Sequence, residues 1–204
     1  MEVISKLRHR HLVSVLGHCL VTYHDHPNTA ATLFIVLEYV AKGSLRDHLT
    51  DWRKREVLKW PQRIYNMTLP YKVGSESPLN GQDSSKTNPS FENAEKADIY
   101  QLGVILLEVI TGKPVTSEEE TDDLKFELER SLAEAPSTLR GLIDPSIRGT
   151  FAFDSLKTAV QITINCLSKD SSKRPSIEDV LWHMQYSLQV QEGWTSSGNL
   201  STKL

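Results

Sequence analysis

The segment from Lys96 to Pro114 constrains the fold of this chain most strongly. It reads Lys-Ala-Asp-Ile-Tyr-Gln-Leu-Gly-Val-Ile-Leu-Leu-Glu-Val-Ile-Thr-Gly-Lys-Pro, in which an Asp and a Gly precede a strongly apolar run. Such a run predicts a buried helix at about residues 95–111. Three later segments carry apolar residues at helical spacing and predict further helices at 118–134, 154–168 and 176–191. The second half of the chain is therefore expected to form a helical bundle.

Two of these helices have recognisable start signals. Asp154 is a candidate cap for the helix at 154–168, and Ser176 with Asp179 has the Ser-x-x-Asp spacing of a capping box for the last helix. We therefore expect both helices to begin close to these residues.

The first third of the chain has the composition of strands. Residues 12–17 (Leu-Val-Ser-Val-Leu-Gly) and 33–40 (Leu-Phe-Ile-Val-Leu-Glu-Tyr-Val) are rich in strand formers. They predict two antiparallel strands joined by a loop at 20–32. That loop holds His24 and His26, which have no third metal ligand nearby, so we expect a solvated turn and no metal site.

The middle of the chain predicts little regular structure. Ser44 is a candidate cap for a short helix at 45–50, and a helix beginning at Trp60 is expected to end near Ile64. From Asn66 to Asn93 the sequence is dominated by Gly, Ser, Pro and Asn, which predicts a flexible loop. The last ten residues, 195–204, are expected to be a disordered tail.

Composition excludes several classes of function. Lys and Arg (23) are outnumbered by Asp and Glu (26) and form no extended patch, so nucleic acid is not an expected partner. The two cysteines, Cys19 and Cys166, lack Cys-x-x-Cys spacing, which suits a reducing compartment and no metal site. The apolar runs, such as Val104 to Leu107 and the longer Leu33 to Leu37, are far shorter than the ~20 residues of a membrane span, so a cytoplasmic chain is expected.

Ordered motifs along almost the whole chain resemble the kinase domain of plant leucine-rich-repeat receptor-like protein kinases, within a subgroup described as inactive. The helix at 96–114 resembles kinase helix F, and 169–181 resembles the junction of the last two helices. Residues 7–13 resemble the end of helix C with strand 4, and 38–40 resemble the hinge. Residues 42–45 resemble the start of helix D, and 60–63 the start of helix E. Residues 141–149 resemble the segment after helix G, and 190–194 resemble the tail.

This resemblance implies an incomplete kinase-like α+β fold. Its parts would be an N-lobe remnant of two or three strands with the hinge at 1–43, a truncated helix D and E region at 44–65, an activation-segment-like loop at 66–94 and C-lobe helices at 95–191, within a domain spanning 1–194. A complete two-lobed kinase needs roughly 250 residues, more than the 204 present.

The groups that carry kinase chemistry are absent from the sequence. There is no Gly-rich phosphate loop, no Val-Ala-Ile-Lys strand, no His-Arg-Asp loop and no Asp-Phe-Gly. By motif order, ~45 residues that would include the catalytic loop are missing between Ile64 and Tyr65. Tyr65-Asn66 stands where active members have Asp-Phe-Gly, and Asn has no carboxylate for Mg²⁺. Glu2 is expected to be a solvated helix residue and not the helix C Glu.

Four residues match functional positions of the family. Glu38 and Val40 correspond to the hinge, whose backbone contacts adenine in active members. Asp98 corresponds to the helix F Asp that anchors the catalytic loop, and with that loop missing we expect it to be a helix N-terminal charge that complements the dipole. Arg174 corresponds to the Arg that pairs with the Glu of Ala-Pro-Glu. Because Asn88-Pro89-Ser90 lacks that Glu, Arg174 is expected to face solvent or Glu92.

Two functions follow from the resemblance, beside the third possibility that the fragment does not fold and has no function. In the first, the chain has no catalytic or metal-binding residues, binds no cofactor, and acts in signalling by contacting proteins, including other receptor kinases, on the cytoplasmic face of a membrane. In the second, it represents an active ATP- and Mg²⁺-dependent Ser/Thr kinase through an incomplete gene model. The loss of helix E would uncover the apolar face of helix F (Ile99, Leu102, Ile105, Leu106 and Val109), so a marginally stable chain is expected.

Overall fold

The computed structural model describes residues 13–21, 32–68, 89–134 and 136–199, and the chain divides into two compact units, Met1–Ser44 and Leu45–Leu204. The predictions made for Glu2, His24 and His26 lie outside the described residues. The architecture is the expected α+β class, with one small sheet in the first unit and helices throughout the second.

The first unit contains two antiparallel strands, β1 (Val15–Val21) and β2 (Thr32–Leu37). Val15 pairs with Leu37 and Val21 with Thr32, and the register is irregular between Val15 and Gly17. The antiparallel pair was predicted, but β1 lies later in the chain than residues 12–17, and β2 ends before the predicted residue 40. Every residue of β2 is exposed, and in the described sheet β2 pairs with β1 alone. An unpaired strand edge is a liability because it can template aggregation.

The second unit contains eight described helices. They are α1 (Leu45–Thr50), α2 (Trp52–Val57), α3 (Trp60–Thr68), α4 (Pro89–Thr111), α5 (Glu118–Ala133), α6 (Pro136–Leu142), α7 (Phe153–Cys166) and α8 (Ile177–Trp194). Short 3₁₀ turns at Pro145–Ile147 and Ser171–Lys173 precede α7 and α8, and a π-type turn at Thr195–Asn199 follows α8. The four helices predicted from apolar spacing are all present, although α4 begins earlier than expected.

Local hydrogen bonds explain several helix starts. The Ser117 side chain accepts from the N–H of Glu120 at the start of α5. At α8, Ser176 and Asp179 form the predicted capping box, with each side chain accepting from the other residue's backbone N–H. Asp154 is not the cap of α7, because that helix begins at Phe153 after Ala152, which makes no side-chain cap bond.

The core of the second unit is one apolar cluster formed mainly by α3, α4, α7 and α8. Gly103 permits α4 to approach the end of α7 closely, since a Cβ at this position would lie 2.9 Å from the Cβ of Cys166. The buried members of the cluster include Trp60, Ile64, Ile99, Leu106, Leu107, Ile110, Leu156, Val160, Cys166, Leu167, Val180 and Met184.

Three structural expectations need correction. The predicted loop at 66–94 is shorter at both ends, because α3 continues to Thr68 and α4 begins at Pro89. Residues 195–199 form an ordered turn and do not belong to a disordered tail. The apolar face of α4 is largely covered, because Ile99, Leu106 and Val109 are buried and, of the five named residues, Ile105 alone is strongly exposed.

No helix in the described part of the chain combines the length and the apolar content that crossing a bilayer requires.

Candidate functional site

The hinge counterparts Glu38 and Val40 follow directly after β2 and are both exposed. The Glu38 N–H donates to the Ser14 carbonyl at 2.9 Å, and the Gly43 N–H donates to the Val40 carbonyl at 3.4 Å. The backbone at this point is therefore engaged in the strand pair and in the turn that follows it.

A buried polar cluster joins α3 to the segment after α6. The Arg63 guanidinium donates to Asp144 Oδ2 at 2.6 Å, to Ser146 Oγ at 2.9 Å, and to the carbonyls of Leu58 and Val109 at 2.7 Å each. Both Arg63 and Asp144 have fully buried side chains. The cluster fixes α3, the helix that resembles kinase helix E, against the end of α4.

The charge states of this cluster follow from its surroundings. Burial of Asp144 favours its neutral carboxyl and opposes ionisation. The Ser146 N–H, which donates to Asp144 Oδ1 at 2.9 Å, and the Arg63 guanidinium favour the carboxylate more strongly. The pKa of Asp144 is therefore lowered. Burial lowers the pKa of Arg63, and the Asp144 carboxylate opposes that effect. The pair is therefore an ionised structural bridge without a free proton donor or acceptor for chemistry.

A second buried acid, Glu108 in α4, holds the loop before α5. Its Oε1 accepts from the Val115 N–H at 2.8 Å, and its carboxylate pairs with the Arg46 guanidinium from α1. Glu108 thus fixes the chain direction after Gly112 and ties α1 to α4. This is a positioning role.

The structure places the two kinase-like positions of the second unit, Asp98 and Arg174, in different surroundings. Asp98 is exposed and lies inside α4, nine residues after the helix begins at Pro89, so it is not a charge at the helix N-terminus. Arg174 is half-buried, and the side chain of Glu92, its other expected neighbour, lies outside the described residues. It donates to the carbonyls of Ser168 and Lys96 at 2.8 and 2.9 Å and lies 4.8 Å from the centre of the Tyr100 ring.

A groove of about 520 Å³ lies beside Arg174, between α4, the start of α5 and the turn before α8. Burial, together with Glu118 and Asp122, raises the pKa of Tyr100 in its wall. Lys169 forms an ion pair with Asp122 at 2.6 Å. The other residues that line the groove include Gln101, Val104, Val115, Thr116, Ser117 and Thr121. The described lining includes no histidine or cysteine and mixes both signs of charge.

No three His, Cys, Asp or Glu side chains among the described residues converge as a possible metal site. The residues that are present also do not fit Mg·ATP. The hinge counterparts Glu38 and Val40 are exposed, and the sequence contains neither the Lys nor the Asp and Asn that hold the phosphates and Mg²⁺ in active kinases.

Sequence reasoning identified Arg63 and Asp144 within two separate motifs but did not pair them. They are 81 residues apart, and the pairing depends on how α3 packs against the segment after α6. The available signal was that each charge directly adjoins an apolar residue of its motif, Ile64 after Arg63 and Ile143 before Asp144, because charged side chains are seldom buried unless they are paired.

Curated relatives cover almost all of this chain. No protein-family model matches it. Two probable LRR receptor-like serine/threonine-protein kinases of Arabidopsis thaliana are 49% and 46% identical to it over 98% of this chain and 32% of their own length. A probable inactive leucine-rich repeat receptor-like protein kinase of the same plant is 36% identical over all of this chain and 31% of its own length. The chain thus spans about one third of these relatives.

The alignment to the first of these relatives extends over 245 residues although 98% of a 204-residue chain is about 200 residues. About 45 aligned positions therefore have no counterpart in this chain. This agrees in size with the segment that motif order indicated was missing.

Solved structures with a similar fold include pseudokinases. The pseudokinase domain of BIR2, an immune regulator of the RLK/Pelle family, matches 98% of this chain and 69% of that domain with a TM-score of 0.62 and 20% identity. The pseudokinase DRIK1, crystallised with ENMD-2076, matches 91% of this chain and 72% of its own with a TM-score of 0.56 and 24% identity. These matches show a kinase-like fold.

Proposed function

This chain is a homologue of plant leucine-rich-repeat receptor-like protein kinases, and from that premise we propose that it is a kinase-like domain without phosphotransferase activity that acts in signalling by binding proteins. The relatives support a kinase-domain origin. The inactivity and the binding role are the proposal.

The continuity of α3 carries the proposal. This helix, which resembles helix E, passes through Ile64 and Tyr65 without a break and ends at Thr68, and α4 begins at Pro89. In kinases the catalytic loop and Asp-Phe-Gly lie between helices E and F. Here that interval is residues 69–88, and its sequence contains neither motif. Phosphoryl transfer depends on positioning and on charge stabilisation by these groups, so their loss removes the chemistry.

We infer that the chain binds neither ATP nor Mg²⁺, the cofactors of active family members. The exposed hinge counterparts Glu38 and Val40 offer only backbone groups to an adenine. Without the Lys and the acidic ligands, nothing offsets the charge of the triphosphate.

The surface supports a role in protein contact. Trp182 and Tyr186 on α8 are 61% and 45% exposed, and their rings stack with centroids 5.7 Å apart. Phe126 on α5 is 63% exposed. Exposed aromatic residues of this kind are enriched at interfaces. We propose that the partners are proteins, including other receptor kinases, and that the domain acts in the cytoplasm, at the cytoplasmic face of a membrane when it is part of a full-length receptor.

An active Ser/Thr kinase represented by an incomplete gene model is the second candidate. It is favoured by the two relatives named as probable serine/threonine-protein kinases and by the ~45 unmatched positions. Genomic sequence between the codons of Ile64 and Tyr65 separates the two functions. A helix end followed by His-Arg-Asp there would indicate an enzyme, and uninterrupted coding sequence would support the inactive domain.

Titration of the purified chain with Mg·ATP tests the proposal. We expect no heat of binding by calorimetry and no change in melting temperature, with an active receptor kinase domain as the positive control. Saturable Mg·ATP binding that is abolished by an ATP-site inhibitor would contradict the inference that the chain binds no ATP.

A further inference from the structure

Two arginines in the described part of the chain differ from the other six. Arg46, Arg55, Arg63 and Arg130 contact carboxylates, Arg174 contacts carbonyls and an aromatic ring, and Arg53 lies over the ring of Trp52. Among these described arginines, only Arg140 and Arg148 have no side-chain hydrogen bond, ion pair or ring contact.

Arg140 and Arg148 line the same pocket. The pocket has a volume of about 370 Å³, and its other lining residues are Gly149, Phe151 and Trp194. This volume lies within the range of ordinary small-ligand sites. Two unpaired cations therefore flank a cavity whose remaining side chains are aromatic.

The walls of the pocket are held in place before any ligand arrives. Gln191 of α8 is 1% exposed, and its Oε1 accepts from the Ala152 N–H at 2.8 Å while its Nε2 donates to the Thr150 carbonyl at 3.2 Å. The Arg148 N–H donates to the Pro145 carbonyl at 3.2 Å. The loop that carries Arg148 and Phe151 is thus fixed to α8, the helix that ends with Trp194.

A purely structural role does not account for both arginines of the pocket. Arg140 lies in the last turn of α6, where a cation complements the helix dipole. That explanation does not apply to Arg148, which follows a three-residue 3₁₀ turn. It also does not explain why both guanidinium groups border one partly aromatic cavity.

We propose that this pocket binds an aryl phosphate, presented as a phosphotyrosine side chain of a partner protein. Guanidinium groups match phosphate oxygens in charge and in hydrogen-bond geometry, and Phe151 and Trp194 offer aromatic surface to the phenyl ring. The inference rests on the proposed function only in taking the partner to be a protein. Its test contains no ATP, so its outcome is independent of whether the chain transfers phosphate.

The test is calorimetric titration of the 204-residue chain with a tyrosine-phosphorylated peptide of neutral flanking sequence. The unphosphorylated peptide, the phosphoserine peptide and inorganic phosphate are the comparison ligands. We expect the phosphotyrosine peptide to bind most tightly, and Arg140→Gln and Arg148→Gln each to weaken it about tenfold or more. Arg130→Gln, which removes an exposed arginine outside the pocket, is the matched control and should change binding less than twofold, roughly the resolution of such affinities.

Each remaining outcome counts against the proposal. Equal binding of the phosphoserine peptide or of inorganic phosphate would overturn the assignment to an aryl phosphate. Losses in Arg140→Gln and Arg148→Gln no larger than in Arg130→Gln would overturn the site. Because both arginines are exposed, the variants should keep the parent melting temperature, which separates a binding defect from unfolding.

Discussion

The Arg63 guanidinium donates to the Asp144 carboxylate at 2.6 Å, and neither side chain is accessible to solvent. This ion pair joins α3 to a segment 81 residues later in the chain. Removal of one partner leaves an uncompensated buried charge, which is the costly way to break such a bridge.

Asp144→Asn is therefore expected to lower the free energy of unfolding by about 3–5 kcal/mol. Urea denaturation followed by circular dichroism measures this change. Asp123→Asn on the exposed face of α5 is the control and should change stability by less than about 0.5 kcal/mol. Similar values for the two variants would show that the Arg63–Asp144 pair does not stabilise the fold.

The same carboxyl predicts an acid dependence of stability. Because the folded chain lowers the pKa of Asp144, its contribution is complete above the unfolded pKa of about 3.9 and is lost as pH falls through the lower folded value. Melting temperatures of the parent chain should fall more steeply with acid in this range than those of Asp144→Asn. Parallel curves for the two proteins would contradict this prediction.

Gly112 ends α4 with a φ of +68°, and a Cβ at this position would lie 2.4 Å from Asp144 Oδ2. Gly112→Ala should destabilise the chain by about 1–3 kcal/mol from backbone strain alone, with the displacement of Asp144 adding to it. Gly141→Ala in α6 is the matched control, since a Cβ there meets nothing within 4 Å. It should be neutral or stabilising by up to about 1 kcal/mol. Chemical denaturation that ranks the two variants in the opposite order would exclude this account.

The two cysteines should differ sharply in reactivity. Cys19 is exposed in β1, whereas Cys166 is buried and burial raises its pKa to about 12. Because the thiolate is the reactive form, a colorimetric thiol reagent at pH 8 should modify one thiol quickly and the second only after unfolding. Cys19→Ser should remove the fast phase. Rapid modification of both thiols in the native chain would indicate that the core around Cys166 opens readily.

The sequence was most informative where apolar spacing extended over many residues. The helices around Ile105, Leu128, Val160 and Met184 were predicted because each has a continuous apolar face that must be buried. The start of α3 at Trp60 was also predicted, but its C-terminal end was not, because that end depends on tertiary contacts. Ile64 is buried in the core, and the Thr68 hydroxyl donates to the Ile64 carbonyl at 2.7 Å, so the helix continues where local composition favoured a loop.

The candidate sites were less predictable than the fold. The motifs that resemble the kinase family identified Asp98 and Arg174 as candidate residues. Their environments could not be predicted, because they depend on where α4 begins and on which carbonyls face the turn before α8. The pocket between Arg140 and Arg148 had no sequence signal at all, because it is created by the contact of one loop with the end of α8.

Phosphate incorporation is the most direct test of the central claim that this kinase-like chain does not transfer phosphate. The purified chain is incubated with γ-labelled ATP, Mg²⁺ and a general protein substrate, with and without an ATP-site inhibitor. The absence of the catalytic loop and of the metal ligands predicts label at the level of the enzyme-free control. Label incorporation that grows with the concentration of the chain and is abolished by the inhibitor would contradict the claim.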